Sequence, residues 1–194
     1  FINRIMHNFL PNIYYFINEF NKEYIEKIDK KIAIIYRNYQ KKINPSEILK
    51  IKNFCKKNGR KFYLANNIEL AIKLKLDGAY LPSFCKKLIN NKKLKNNFLL
   101  LGSAHNAKEI KIKEKQGVTL IFLSSLFATN NNKKILGINK FNLLAKHTKK
   151  KVIALGGIRA NNINKLNLIN SYGFASISLI KDNYKLIKSI IKKY

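Results

Sequence analysis

The chain has 194 residues, of which 46% are hydrophobic and 25% charged, and its formal net charge is +29. This composition excludes a disordered segment, and the length suits a single globular domain over residues 1–194 with a sizeable buried core. No apolar run reaches the roughly 18 residues that a membrane-spanning helix needs, and the first residues lack the apolar core of a secretory signal, so we expect no membrane partner.

The excess of basic residues suggests nucleic-acid binding, but the kind of basic residue argues against it. Only four of the 39 are arginines, and the other 35 are lysines spread over every predicted helix. Proteins that read nucleic acids rely on arginine for bidentate and stacking contacts. Lysine on solvated helix faces fits a coding sequence biased toward A and T. We expect weak non-specific binding at low salt and no specific nucleic-acid partner.

The two cysteines, Cys55 and Cys85, form neither a CxxC motif nor a metal-ligand pattern. Free thiols of this kind are typical of reducing compartments, where disulfides do not persist. The sequence therefore predicts a cytoplasmic protein with two buried or half-buried thiols.

Short apolar, β-branched runs alternate with amphipathic helical patterns along the chain. The predicted strands are 13–17, 32–36, 61–65, 78–81, 98–101, 118–123, 152–155 and 174–178. The predicted helices are 19–30, 46–58, 68–75, 84–91, 107–115, 140–149, 162–170 and 183–193. Eight strands that alternate with eight helices favour an α/β fold with a closed parallel sheet, a single compact (β/α)8 TIM barrel, over an open doubly wound sheet.

The last two predicted strands end in residues that offer bare backbone N–H groups. The seventh strand runs into Gly156 and Gly157, where no Cβ keeps a ligand from the backbone. The eighth ends in Ile177 and Ser178, and a helix that begins there adds unpaired N–H groups and the positive end of its dipole. Phosphate binds after strands 7 and 8 in many barrels of this kind, so these residues predict a site for a small phosphorylated molecule.

Several segments, in their order and spacing, resemble the thiamin phosphate synthase family, which includes the related thiazole tautomerases. The resemblance extends from about Tyr14 to Lys181 and rests on residues 36–37, 66–71, 76–81, 102–105, 126–129, 154–158 and 177–178. It implies a condensation in which a pyrimidine-methyl pyrophosphate ionises with help from Mg2+. The nitrogen of a thiazole phosphate then captures the cation, and pyrophosphate is released.

The resemblance also implies which residues hold the thiazole phosphate. Backbone N–H and hydroxyl donors would come from the ends of strands 7 and 8, at Gly157, Ile177 and Ser178, with Gly156 in the same turn. A lysine of the strand-6 loop, Lys133 or its neighbour Lys134, would close over a phosphate. A solvated pair of charges is the alternative for these two lysines.

For the second substrate, the resemblance implies Arg37 as a bidentate ligand of pyrophosphate, because a guanidinium forms two parallel hydrogen bonds. Ser103 and Thr129 would contact the pyrophosphate or the thiazole phosphate, and Asn66 would lie beside the pyrimidine pocket. Arg37 and Ser103 are thus the candidate catalytic residues. A structural ion pair with a neighbouring carboxylate is the alternative role of Arg37, and His105 is expected only to begin a helix after strand 5.

The chain departs from the family pattern where charged groups are expected. The strand-2 motif Gln-x-Arg-x-Lys is Ile35-Tyr-Arg-Asn-Tyr39 here, so the Gln and the Lys are missing. One metal-binding Asp is Asn67, and the second falls at or near Cys85. The strand-6 Thr-x-Thr-Lys keeps one threonine, Thr129, and the His of the tautomerases is absent near Ser125.

These departures weaken the expected metal site. Mg2+ prefers carboxylate and water oxygens, and most of the ten carboxylates lie on predicted helices. We therefore expect any Mg2+ to be held mainly by the pyrophosphate, with Asn67 as a neutral ligand.

Three functions remain open on the sequence alone. The first is a thiamin phosphate synthase with reduced metal anchoring, and the second is a non-synthase paralogue that binds thiazole phosphate or thiamin phosphate. The third is a basic nucleic-acid-binding protein built on a barrel. The sequence makes no prediction of the oligomeric state.

Overall fold

The computed structural model describes residues 10–90, 94–129 and 135–191, and these form a closed barrel of eight parallel strands. Each strand pairs with its neighbours in sequence, and β8 closes the barrel by pairing with β1. The predicted (β/α)8 barrel is confirmed, and each predicted strand is present within three residues at either end. The strands are β1 Ile13–Ile17, β2 Ala33–Tyr36, β3 Phe62–Ala65, β4 Gly78–Leu81, β5 Leu99–Ala104, β6 Leu120–Leu123, β7 Lys151–Leu155 and β8 Gly173–Ser176.

Helices surround the barrel, and a 3-10 helix, Ile163–Leu168, follows β7. In the described parts of the chain, no helix combines the length and the apolar character that crossing a membrane requires. The helices are α1 Lys22–Lys27, α2 Pro45–Lys57, α3 Ile68–Lys73, α4 Ala107–Lys115, α5 Gly137–Ala145, α6 Ser178–Asp182 and α7 Tyr184–Ile191. The single domain over residues 1–194 stays a prediction, because the described ranges do not include the whole chain.

Asparagine caps start several of these helices. The cap side chain accepts a hydrogen bond from a backbone N–H of the first turn, at 2.9–3.0 Å, and so satisfies one of the donors that a helix start leaves unpaired. Part of the Asn-rich composition thus has a structural use. The caps are Asn21 of α1, Asn44 of α2, Asn67 of α3 and Asn106 of α4.

The helix predicted at 84–91 is wrong over its described residues, 84–90, which have no helical structure. In a helix, each carbonyl accepts a hydrogen bond from the amide four residues later. Here the carbonyls of Pro82, Cys85 and Lys87 accept hydrogen bonds from side chains of the α4 region instead. Since those side chains lie about thirty residues further along the chain, apolar periodicity gives no sign of them.

The other differences are smaller. The predicted helix 162–170 is the 3-10 helix, and the predicted helix 140–149 is α5, which begins at Gly137. The predicted strand 174–178 ends at Ser176, whose Oγ accepts a hydrogen bond from Leu179 N at 3.2 Å and so caps the first turn of α6. The chain therefore turns into a helix two residues before the sequence pattern indicates.

Aromatic rings fill the inside of the barrel. Side chains alternate along a strand, so Tyr14 and Phe16 of β1 point inward. Ile13, Tyr15 and Ile17 of the same strand belong to the outer core that packs against the helices. The ring of Phe122 meets that of Tyr14 at 5.0 Å and that of Tyr80 at 5.4 Å between centroids, both edge to face. These geometries are favourable for aromatic pairs. Because the strands have only four to six residues, the barrel is short, and a few large rings fill its interior.

Gly173 opens β8 where the barrel closes, and it has no room for a side chain. A Cβ there would collide with the Asn12 carbonyl, which accepts a hydrogen bond from Phe174 N at 2.9 Å. We predict that Gly173→Ala lowers the free energy of unfolding by about 3 kcal/mol, because the added methyl forces β1 and β8 apart.

Gly59→Ala is the matched control. Gly59 has a positive φ of +63°, but nothing lies within 4 Å of its ideal Cβ, so only backbone strain of about 1 kcal/mol is expected. Urea denaturation of both variants measures the difference. Equal losses would show that closure at Gly173 is not tightly packed.

Candidate active site

A pocket of about 390 Å³ opens where β6, β7 and β8 end. The carboxyl ends of parallel strands meet at one rim of a barrel, so residues distant in sequence line this pocket together. It contains six residues that the sequence predicts for the site: Arg37, Thr129, Gly156, Gly157, Ile177 and Ser178. Its wall also includes residues that the sequence analysis did not select: Ser124, Ser125, Ile158, Arg159 and Ser176.

The Gly156–Gly157 turn has positive φ values of +99° and +67°, which glycine adopts without strain. Its two missing side chains leave room for the chain after β6. A Cβ on Gly156 would collide with Ser125, and one on Gly157 with the Ala128 carbonyl. Phe127 N donates to Gly156 O at 3.1 Å, so the two segments lie directly against each other. The glycines are therefore required by this packing as well as by any ligand.

The N–H groups that the sequence predicts as anion donors are available. No hydrogen bond within the described residues uses the backbone N–H of Gly157, Ile177 or Ser178. The hydroxyl of Ser176 donates to Ile158 O at 3.1 Å and accepts from Leu179 N at 3.2 Å. This buried hydroxyl thus fixes the turn after β7 against the start of α6.

Arg37 is a half-buried cation at the end of β2. Its guanidinium carbon lies 4.5 Å from the ring centroid of Phe16, a stabilising cation–π contact. No ion pair in the described parts of the chain includes Arg37, so the structural alternative, a carboxylate partner, is not seen there. Within the described ranges, no carboxylate neutralises the charge of Arg37.

A smaller recess of about 140 Å³ adjoins the main pocket and shares Arg37, Ser124 and Leu155 with it. Ser103 lies in this recess, buried, beside Tyr80. Burial raises the pKa of the Tyr80 phenol, which interactions with Ser103 and Arg37 lower in part. The structure therefore places Ser103 and Arg37, the two candidate catalytic residues, around one space.

His105 has a more defined role in the recess than the start of a helix. Its Nδ1 lies 2.7 Å from Ser124 O, and its Nε2 lies 3.1 Å from Ser83 Oγ. A carbonyl only accepts, so Nδ1 carries a proton, and in the neutral ring Nε2 accepts from the serine hydroxyl. Ser83 is not predicted from the sequence, because its loop comes beside the end of β5 only in the folded chain.

Two exposed aromatic rings form the outer edge of the recess. Tyr39 and Phe84 are 51% and 61% exposed, and their ring centroids lie 5.6 Å apart, edge to face. Tyr39 stands where the family pattern has a lysine. At this edge the chain therefore has an apolar wall where the resemblance implies a charge.

Asn66 and Asn67 lie apart from these residues. They line another cavity, of about 480 Å³, together with Glu69 and Cys85. Asn66 has a positive φ of 58°, and the side chain of Asn67 caps α3 by accepting a hydrogen bond from Leu70 N at 2.9 Å. Asn67 and Cys85, the positions of the family's metal ligands, thus line one cavity. Arg37 lines the main pocket and the recess instead. Lys133 and Lys134 lie outside the described residues.

The residues present do not fit a protein-bound Mg2+. No three His, Cys, Asp or Glu side chains among the described residues are grouped as metal ligands would be. The Oδ1 of Asn67 is already used as a helix cap, and Cys85 offers a soft thiol where Mg2+ prefers hard oxygen. A carboxylate cage is therefore not formed by this part of the chain.

The fold is that of the (β/α)8 class, with a pocket at the rim where the carboxyl ends of the strands meet. Residues 22–180 match the family model described as "Thiamine monophosphate synthase", and the chain belongs to this family. The family resemblance of the sequence is thereby confirmed.

Curated relatives extend over different shares of the chain. A thiamine-phosphate synthase of Pelagibacter ubique is 28% identical over 99% of this chain and 95% of that protein. One of Prochlorococcus marinus is 31% identical over 70% of this chain, but the match spans only 39% of that longer protein. The solved thiamine phosphate pyrophosphorylase of Pyrococcus furiosus superposes with a TM-score of 0.77 at 18% identity, over 94% of this chain and 96% of that one, and supports the fold.

The packing of Gly157 leads to a prediction about anion binding. We expect Gly157→Ala to weaken the binding of inorganic phosphate about tenfold, or 1.4 kcal/mol. The reason is that the new Cβ pushes the turn away from Ala128 and displaces its N–H groups. Titration calorimetry with phosphate measures the change.

Gly137→Ala is the control, since Gly137 has nearly the same φ, +66°, with nothing within 4 Å of its ideal Cβ. It carries the same backbone strain without the collision, and we expect its phosphate affinity to match the parent. If both variants bind phosphate as the parent does, the turn is not part of an anion site.

Proposed function

We propose that this chain is a transferase of the thiamin phosphate synthase type. It would join a pyrimidine-methyl pyrophosphate to a thiazole phosphate and release pyrophosphate. The observation that carries the proposal is the pocket that Arg37 shares with Gly157, Ile177 and Ser178. Among the described residues, the backbone N–H groups of these three residues and the guanidinium of Arg37 have no hydrogen-bond or ion-pair partner. The family, and a relative that matches along nearly its whole length, support the same reaction and small phosphorylated substrates.

The thiazole phosphate would bind on the side of β7 and β8. Its phosphate oxygens would accept hydrogen bonds from the backbone N–H groups of Gly157, Ile177 and Ser178, with the Thr129 hydroxyl as a further donor. Because the Ser176 hydroxyl already fixes the two strand ends together, these donors keep their positions before the ligand arrives. The thiazole nitrogen is thereby held toward the centre of the rim.

The pyrophosphate of the second substrate would bind at Arg37 and Ser103. As the bond between the methylene carbon and the pyrophosphate oxygen breaks, negative charge develops on the leaving group. A guanidinium already positioned over Phe16 offsets this charge without reorganising. The thiazole nitrogen then donates its electron pair to the methylene carbon, and the new carbon–nitrogen bond completes the condensation.

A second candidate function is a paralogue that binds thiazole phosphate or thiamin phosphate without condensing the substrates. Tyr39, Asn67 and Cys85 favour it, because each stands where the family pattern has a charged group. Calorimetry with thiazole phosphate, followed by a coupling assay with both substrates and Mg2+, separates the two candidates. Binding without turnover supports the paralogue. A steeply salt-dependent affinity for duplex DNA at physiological salt would instead support a nucleic-acid function.

A cytoplasmic location also remains a proposal, supported by the two thiols. Cys55 and Cys85 are both free, and burial raises the pKa of Cys55 to about 12, so this thiol stays protonated and inert.

Arg37→Lys tests the pyrophosphate subsite. The lysine keeps the charge but loses the bidentate geometry and the flat contact with Phe16, so we expect pyrophosphate affinity to fall about tenfold. Thiazole phosphate binding, measured on the same variant by calorimetry, should be unchanged and serves as the internal control. Equal pyrophosphate affinity in parent and variant would place the subsite elsewhere.

The double variant Asn67→Asp, Cys85→Asp tests whether missing carboxylates limit the reaction. Both positions line one cavity, and Asp keeps the cap of α3 while it adds an oxygen for Mg2+. We expect turnover that exceeds the parent's and rises with Mg2+ concentration in the coupling assay. Each single variant is a control, because one carboxylate alone orders Mg2+ poorly. A folded double variant that binds thiazole phosphate but gains no turnover would contradict this prediction.

A further inference from the structure

A buried lysine of α4, Lys113, is 0% exposed and forms no ion pair with any carboxylate in the described ranges. Its Nζ donates to Pro82 O at 2.7 Å, to Cys85 O at 2.8 Å and to Gln116 Oε1 at 2.9 Å. An ammonium group has three N–H donors and no acceptor, so these three oxygens satisfy it completely. A neutral amine has only two N–H bonds, so three oxygen acceptors match the charged form, although burial lowers the pKa of Lys113 from its usual value.

The lysine reaches these oxygens by crossing β5 at Gly102. A Cβ on Gly102 would lie 2.8 Å from the Lys113 side chain and 2.9 Å from Val118, so only glycine leaves the necessary space. Gln116 is also 0% exposed, and its Nε2 donates to Cys85 O at 2.9 Å and to Lys87 O at 2.8 Å. Two buried side chains thus hold three carbonyls of the β4 loop, which we define as residues 82–87.

The β4 loop carries two residues of the recess between the held carbonyls. Ser83 forms a hydrogen bond with His105, and the ring of Phe84 packs against that of Tyr39. Both loop residues line the same recess as Arg37 and Ser103. The position of this wall depends on the carbonyls of Pro82 and Cys85, and therefore on the ammonium group of Lys113.

The family resemblance places a metal ligand at or near Cys85, in this same loop. Here the backbone carbonyl of Cys85 faces the ammonium group and the amide of Gln116. An internal cation with oxygen ligands at 2.7–2.9 Å thus holds the backbone of the same loop in which the resemblance places a metal ligand.

We propose that Lys113 is a built-in cation which, together with Gln116, positions the β4 loop so that Ser83 and Phe84 complete the pyrophosphate side of the site. The order of the loop then does not depend on Mg2+, whatever a metal carried by the substrate contributes to the reaction. Lys113 is a positioning residue, since it lines neither the main pocket nor the recess. The pyrophosphate part of the proposal rests on the proposed function, whereas the ordering of the loop does not.

Lys113→Met tests the proposal, because methionine fills the path across Gly102 but has no charge and no donor. We expect pyrophosphate affinity to fall about tenfold while thiazole phosphate affinity stays within about twofold, both by calorimetry. Amide hydrogen exchange in residues 83–87 should become about tenfold faster. Exchange in the parent should be the same with Mg2+ and with a chelator.

Lys111→Met is the matched control on the same helix, where the exposed lysine pairs with Glu114 at 2.9 Å. It should change none of these measurements. Gln116→Leu keeps the lysine, removes one of its three acceptors and removes the two loop contacts of the amide. It decides the question if Lys113→Met does not fold. We expect it to change loop exchange and pyrophosphate affinity in the same direction, by about threefold.

Three results would overturn the proposal: unchanged loop exchange in the variants, an equal loss of both ligands, or loop exchange in the parent that slows when Mg2+ is added. A parent that binds no pyrophosphate would instead contradict the proposed function. In that case the exchange comparison between Lys113→Met and Lys111→Met still decides whether the lysine orders the loop.

Discussion

Closure of eight short strands around a filled interior is the constraint on which the rest of the molecule depends. Each strand contributes only a few inward side chains, and the rings of Phe16, Tyr80 and Phe122 pack against one another edge to face inside the barrel. The ring of Phe16 also forms the cation–π contact with the guanidinium of Arg37. The packing of the core therefore also positions the charge of Arg37 at the rim.

The strands were predictable because each is signalled by its own residues, and the closed order follows from their number. The segment after β4 was not predictable, since its backbone partners are Lys113 and Gln116, side chains that a local pattern cannot connect to it. The early end of β8 has a similar cause. Whether Ser176 continues a strand or caps a helix depends on Ile158, whose carbonyl accepts a hydrogen bond from the serine hydroxyl.

The candidate site divides in the same way. The glycine turn after β7 and the end of β8 were visible in sequence, because bare N–H donors at a strand end are a local property. The bond between Ser83 and His105 and the pair of Tyr39 with Phe84 join separate loops and appear only in the fold. Asn67 illustrates an ambiguity that sequence cannot remove, because the same amide that suits a metal also caps a helix.

The hydroxyl of Ser176 has a consequence for how the rim responds to change. It joins the turn after β7 to the first turn of α6 through a single oxygen, so the two segments move as one body rather than as two loops. A ligand that contacts both does not have to order each of them, and less binding free energy is lost to conformational entropy. The same coupling limits divergence: a substitution that shifts α6 also shifts Gly157, so the two halves of this rim are expected to change together in related chains.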